Sequence, residues 1–176
     1  MKKALQPLTG ALMIAILLMA TSAANAQTTK AEFLSKWQNS KQFTLDVLDK
    51  MPESGMNYKT DPEAMTFKEQ IHHIGNAIVG ISQGFLKGGD PGFTIDLATA
   101  SKADLAAYVA KSYDYGTATM KALSEADAAE SIEVFGNNVS RRQVMALIMD
   151  HSTHHRGAAI AYLRVEGVEP PAYVGF

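Results

Sequence analysis

Four stretches of the chain carry apolar side chains every three or four residues, the spacing that lines one face of an α-helix. Residues that start or stop helices bound each stretch, and Gly and Pro are common between the stretches. We therefore predict four amphipathic helices. They run from Thr29 to Pro52, from Thr66 to Gly88, from Ser101 to about Leu123, and from Ser140 to near Gly167.

Each predicted helix starts with the sequence of a capping box, in which two residues three apart accept hydrogen bonds from each other's backbone N–H groups. The first residue of such a pair is Ser or Thr, and the second is an acid or an amide. The pairs are Thr29 with Glu32, Thr66 with Glu69, Ser101 with Asp104, and Ser140 with Gln143. These pairs predict where the helices begin.

The number and length of these helices predict an all-α fold, a four-helix bundle that forms a single domain. The segment from Lys87 to Ala100 is longer than a typical connection between helices, so we predict a longer crossover connection between helices two and three. A lid, alone or combined with the crossover, is the alternative. The segment from Glu133 to Val139 is predicted to be a turn around Gly136-Asn137-Asn138.

The N-terminal segment has the three parts of a secretory signal peptide. Lys2 and Lys3 precede an apolar run that is densest from Ala11 to Ala20, and the small residues Ala24-Asn25-Ala26 form an A-x-A cleavage site before Gln27. An uncleaved membrane anchor is the alternative, but the apolar run is shorter than the roughly 20 residues that a span requires. We therefore predict a signal peptide at 1–26, a domain at 27–176, a periplasmic location, and no stable membrane insertion after cleavage.

Composition excludes several classes of protein. The 176 residues are 47% hydrophobic and 19% charged, which is typical of a globular chain. The absence of Cys excludes disulfides, thiolate zinc sites, iron–sulfur clusters and a cysteine nucleophile. The net charge is −2, and loss of Lys2 and Lys3 would leave 14 basic and 18 acidic residues, a charge of −4. Such a chain has no basic surface for a nucleic-acid partner.

Two histidines lie in the middle of the apolar stripe of the fourth helix, which we expect to face the core. His151 and His155 are four residues apart, so their side chains stack on one helical face. A buried imidazole costs free energy unless it is paired, and a shared cation would satisfy both rings. The alternative is that each ring is an ordinary hydrogen-bonded core histidine. His154 lies at the edge of the stripe.

The second helix offers His72 and His73 as a third ligand. His72 falls on a polar face that we expect to be solvated, whereas His73 shares a face with Ala77, Gly80 and Gly84. We expect these small residues to let another helix approach closely and leave room for an inward-pointing imidazole. The predicted metal ligands are therefore His73, His151 and His155. Three protein ligands leave coordination positions open, as catalytic sites do.

The predicted mature chain resembles the DinB/YfiT-like metalloenzymes over essentially all of its length, and two segments carry the matching motifs. One runs from Thr66 to Ala77 and includes Phe67, Glu69, Gln70 and His73. The other runs from Phe135 to Phe176 and contains Asp150-His151-x-x-His154-His155-Arg156-Gly157, followed by Tyr162-Leu163-Arg164, Gly167 and Pro170-Pro171. The resemblance implies a four-helix bundle with a crossover topology and a divalent metal held by three histidines. The positions that match this ligand motif are His73, His151 and His155.

Some members of that family are metal-dependent transferases or isomerases that use low-molecular-weight thiols, so the resemblance implies a small-molecule substrate and a thiol partner. This chain departs from the family pattern in two respects. It has a predicted export signal, and it has Ala158 where family members often have Gln after Arg-Gly. Imidazole ligands suit Zn, Ni or Fe as the divalent metal ion. Two functions stay open: a metal-dependent transferase or hydrolase with His154 in proton transfer, or a non-catalytic periplasmic metal- or ligand-binding protein. A homodimer stays open as well.

Overall fold

The structure, a computed structural model, describes residues 28–175. Helices make up most of this range. The signal peptide predicted at 1–26 lies outside these residues. In chain order the elements are α1 (Lys30–Lys50), a 3-10 turn (Glu53–Gly55), α2 (Phe67–Phe85), α3 (Lys102–Ala122), α4 (Glu125–Ala129), β1 (Ser131–Val134), β2 (Asn137–Ser140) and α5 (Arg141–Val165). No helix within this range is both long and apolar enough to cross a membrane.

The capping boxes predicted for the long helices are present. The hydroxyls of Thr66, Ser101 and Ser140 accept from the backbone N–H three residues later, and the return bonds are also made. Thr29 and Glu32 make the same exchange at the start of α1. The chain divides into two units after Leu34. The cap at Thr29 and the start of α1 belong to the N-terminal unit, and the rest of α1 and all later elements belong to residues 35–176.

The segment from 125 to 140 differs from the prediction. Here the structure has the short helix α4 and an antiparallel hairpin in which Ser131 pairs with Ser140 and Val134 with Asn137. The predicted turn at 133–139 is therefore mostly paired strand, and the prediction of an all-α fold is wrong at this hairpin. The turn itself is Phe135-Gly136, with φ of 49° and 81°. Two positive φ values are what a tight two-residue hairpin turn requires.

The contacts of α2 with α3 and with α5 show the relative directions of these three helices. Along α2 and α3 the contacts advance together: a Cβ on Gly75 would meet Tyr108, and one on Gly116 would meet Ile78. The two helices therefore run in the same direction. The contacts between α2 and α5 advance oppositely, since the Tyr162 hydroxyl donates to Met65 O while His151 faces His73, so these helices are antiparallel.

The parallel arrangement of α2 and α3 explains the long segment between them. After α2 ends, the chain must return along the length of a helix of 19 residues, which is about 28 Å. Residues 86–101 can span this distance, because extended chain covers about 3.3 Å or more per residue. Phe93 of this segment packs edge-on against Tyr108 and Tyr115, and the Tyr115 hydroxyl donates to Gly89 O at 2.6 Å.

A buried polar cluster joins α1, α3 and α5. The guanidinium of Arg156, 7% exposed, donates to the hydroxyls of Ser40 and Thr44 and lies 5.0 Å from the ring centre of Phe43. The Tyr113 hydroxyl lies within hydrogen-bond distance of the same two hydroxyls. Burial lowers the pKa of the Arg156 guanidinium below its ordinary value. These bonds compensate part of the cost of burying a cation.

Two glycines of α2 provide a matched test of this packing. A Cβ on Gly75 would lie 2.8 Å from Cε1 of the buried Tyr108, whereas a Cβ on Gly80 would meet open space. Gly75→Ala is expected to lower the free energy of unfolding by about 1–2 kcal/mol, because overpacking outweighs the gain in helix propensity. Gly80→Ala should raise it by about 0.5–1 kcal/mol. Urea unfolding of both variants measures the difference, and equal shifts would contradict the close approach at Gly75.

Candidate metal centre

Three histidines from two antiparallel helices converge at one place. His151 and His155 lie on successive turns of α5, and His73 faces them from α2. One ring nitrogen from each histidine lies within 4.8 Å of the others. These are the three ligands predicted from the sequence. Among the described residues, no other such group of His, Asp and Glu is found.

The separation of the ring nitrogens suits a metal ion. Nε2 of His73 and Nε2 of His151 are 3.2 Å apart. Two imidazole nitrogens bound tetrahedrally to zinc, each about 2.0–2.1 Å from the ion, are about 3.3 Å apart. The third ring is equally near, since the ring centre of His155 lies 4.4 Å from that of His73 and 4.5 Å from that of His151. The donor set therefore fits a transition-metal cation.

The surroundings keep two of the rings neutral. Burial, with the neighbouring His151 and His73, lowers the pKa of His155 to about 4. Burial and the neighbouring His73 and His154 also lower the pKa of His151. At neutral pH these imidazoles are unprotonated at one nitrogen, and a neutral imidazole is the form that binds a metal.

A buried amide contacts the site from outside the three rings. Nδ1 of His155 donates to Oε1 of Gln70 at 2.6 Å, and Gln70 is 8% exposed. Gln70 lies on α2, one turn before His73. Gln70 is among the residues that carry the family resemblance, but it is not one of the site residues predicted from the sequence. The available signal was its position three residues before His73, which places both side chains on one face of α2.

The histidines are more accessible than the hydrophobic pattern predicted. All three are half-buried, whereas the neighbouring α5 residue Ser152 is fully buried and Arg156 nearly so. The expectation that His151 and His155 lie in the middle of the core face is therefore wrong, because they lie at its margin. The half-exposed rings leave the site open to solvent.

The small residues of α2 have a different role from the predicted one. Gly80 and Gly84 are exposed, and a Cβ on either would meet nothing within 4 Å. No helix among the described residues approaches them closely, so the predicted close packing at these two positions is wrong. The close approach occurs instead at Gly75, on the opposite side of α2, where α3 packs. Gly80 and Gly84 leave an open surface on the face of α2 that carries His73.

The other two histidines lie outside the cluster. His72 is half-buried and stacks on Tyr108 with ring centres 5.5 Å apart, rather than being solvated as predicted, and burial lowers its pKa. His154 is exposed, and its ring centre lies 4.9 Å from that of His155. It can therefore reach solvent beside the cluster without belonging to it.

A cleft of about 340 Å³ lies elsewhere, beneath the segment that connects α2 to α3. Phe93, Tyr108 and Lys111 are among its lining residues, and none of the three clustered histidines lines it. Its acidic members Asp96 and Asp104 accept from nearby backbone N–H groups. The cleft is therefore separate from the candidate metal centre.

The DinB family model matches residues 19–175, and the chain belongs to this family. The predicted resemblance is thereby confirmed. Among curated proteins, the uncharacterized protein YjoA of Bacillus subtilis (strain 168) is 25% identical over 147 residues, which are 81% of this chain and 94% of YjoA.

Two solved structures of DinB-like proteins share the fold. The crystal structure of YjoA from Bacillus subtilis has a TM-score of 0.68 at 21% identity and covers 82% of this chain and 99% of its own. A DinB-like protein from Bacillus cereus ATCC 10987 has a TM-score of 0.71 at 18% identity, covering 82% and 97%. At these identities the likeness concerns the fold alone.

Proposed function

We propose that this protein is an exported metalloenzyme of the DinB family that holds one divalent transition-metal ion with His73, His151 and His155. The observation that carries the proposal is the convergence of three half-exposed imidazoles, with one nitrogen of each within 4.8 Å of the others. Zn, Ni and Fe are the ions we consider, since imidazole suits all three. Three ligands and an open surface leave positions for an exogenous molecule.

We further infer that the four long helices form a four-helix bundle with a crossover between α2 and α3. Two sets of contacts support this arrangement. α2 packs against both α3 and α5, and Trp37 of α1 donates to Tyr113 O of α3. Arg156 of α5 donates to Ser40 of α1, so α5 also contacts α1. The same direction of α2 and α3 is what a crossover connection produces.

The proposed reaction is a metal-assisted hydrolysis or a thiol-dependent transfer on a small-molecule substrate. A bound divalent ion would supply Lewis acidity and would lower the pKa of water or of a thiol. The chain has no Cys, so a thiol would have to come from a small molecule. His154 is the group we place in proton transfer, because it is exposed beside His155 and an imidazole can donate and accept protons near neutral pH.

The test of this proposal is metal analysis of protein purified from its native periplasm, followed by a substrate screen with the metal found. We expect about one equivalent of a transition metal per chain and turnover of a thiol-transfer or hydrolytic substrate. Metal without turnover across both substrate classes would favour the non-catalytic binding protein. Protein that neither carries a transition metal nor binds one when it is supplied would contradict the metal site itself.

Export is proposed from the signal-peptide pattern and has its own test. The A-x-A sequence Ala24-Asn25-Ala26 places cleavage before Gln27. We expect N-terminal sequencing or intact mass of the periplasmic protein to show a chain that starts at Gln27. As a control, a bulky residue in place of Ala26 should block cleavage and leave a precursor. An intact Met1 on the wild-type chain in a membrane fraction would contradict the periplasmic location.

A further inference from the structure

Gln70 occupies a position in which it can control how His155 presents itself to a metal. A neutral imidazole has one N–H donor and one lone pair, on different nitrogens. The carbonyl oxygen Oε1 of Gln70 can only accept a hydrogen bond, and it lies 2.6 Å from Nδ1 of His155. The contact is therefore made only when the proton of His155 is on Nδ1, which leaves the lone pair on Nε2.

We propose that Gln70 is a positioning residue of the metal centre: it selects the His155 tautomer with the lone pair on Nε2 and orients that ring towards His73 and His151. This inference rests on the proposed metal-binding function. Metal-binding histidines commonly donate their second nitrogen to a carboxylate, a backbone carbonyl or water, and loss of such a partner costs about 10–100-fold in metal affinity.

The local structure makes Gln70 a rigid acceptor. Its backbone N–H donates to Thr66 O in the first turn of α2, and the Thr66–Glu69 capping box fixes that turn. Its side chain is buried, so few solvent molecules compete for the hydrogen bond with His155. α2 thus contributes two groups to the site one turn apart, the imidazole of His73 and the amide that holds His155.

Gln70 carries no charge, and this affects the basicity of His155 as a metal ligand. A carboxylate at this position would push electron density through the imidazole and raise the basicity of His155 as a ligand. An amide oxygen does so less, because it carries no net charge. The hydrogen-bond contacts of the three imidazoles are with one another and with the uncharged amide of Gln70, and no acidic side chain among the described residues hydrogen-bonds to them. Such a set leaves a bound dication more electrophilic than one with a carboxylate partner.

The experiment compares Gln70→Ala and Gln70→Glu with wild type, using Co²⁺ as the probe for both affinity and electronic spectrum. We expect Gln70→Ala to bind Co²⁺ about 10–100-fold more weakly and to change its visible spectrum. Gln70→Glu still accepts from Nδ1 and should bind at least as tightly as wild type. Gln83→Ala, an exposed glutamine on the same helix, is the matched control and should bind as wild type does.

A second measurement reads the tautomer without any metal. Long-range ¹H–¹⁵N NMR of the metal-free wild type should show the His155 proton on Nδ1, and Gln70→Ala should populate the Nε2–H form. Wild-type-like Co²⁺ binding by Gln70→Ala, equally weak binding by Gln70→Glu and Gln70→Ala, or a proton on Nε2 in the wild type would each overturn the role of Gln70 alone. A wild-type protein that binds no Co²⁺ would instead overturn the proposed metal site and the inference with it.

Discussion

Replacing His73, His151 or His155 by Ala is expected to lower metal affinity by more than about 100-fold. Removing a residue that only supports a ligand already costs about 10–100-fold, and each of these variants removes a ligand itself. Each variant also leaves only two of the three ring nitrogens that lie within 4.8 Å of one another. Elemental analysis after dialysis, together with chelator competition on the refolded apoprotein, measures the loss.

His72→Ala is the matched control for this experiment. His72 neighbours His73 in sequence but stacks on Tyr108 of α3, so it lies outside the cluster. We expect this variant to keep about one metal per chain. The metal contents of His72→Ala and His73→Ala therefore test the two faces of α2 independently. If His72→Ala empties the site while His73→Ala retains the metal, the assignment of His73 is wrong.

His154→Ala is expected to keep the metal and to lower kcat about 100-fold or more, which is the usual loss when a general acid or base is removed. The ring of His154 is exposed and its centre lies 4.9 Å from that of His155, so it can exchange protons with solvent next to the site. The measurement is steady-state kinetics with the substrate that metal-loaded wild type turns over, together with the metal content of each sample.

The control for His154 is His154→Gln, which keeps a polar side chain but cannot carry a proton between groups. A catalytic role predicts that His154→Gln and His154→Ala are equally slow and equally metal-loaded. Full activity in either variant removes His154 from the mechanism. A parallel loss of metal in both variants would show that His154 supports the ligands instead of transferring a proton.

The helices and the clustering of His151 with His155 were predictable because their signals are local. A capping box depends on two residues three apart, and His151 and His155 share a face by their spacing alone. The short helix α4 carries the same kind of signal, since Ser124 and Asp127 form a capping box. That box was not recognised, because a helix of five residues has no apolar periodicity to accompany it.

Features that depend on tertiary contacts were not predictable in this way. A turn was predicted at 133–139 but its flanking paired strands were not, because the turn uses Phe135, a bulky residue at positive φ where Asn or Gly is usual. Arg156 is charged and was not predicted to be buried. It is buried because its guanidinium donates to the hydroxyls of Ser40 and Thr44 on α1, which is distant in sequence. Likewise, Gln70 meets His155 only because α2 and α5 are antiparallel.

The separation along the chain of His73 and His151, 78 residues, also bears on how the protein unfolds. A cation held by both would join segments that are far apart in the denatured chain, as a disulfide does in proteins that have one. Binding only to the native state stabilises it by about 2.7 kcal/mol when the free metal is at 100 times its Kd. The melting temperature would then rise and fall with the metal supply of the surrounding compartment, so that starvation for the ion would expose this Cys-free chain to proteolysis.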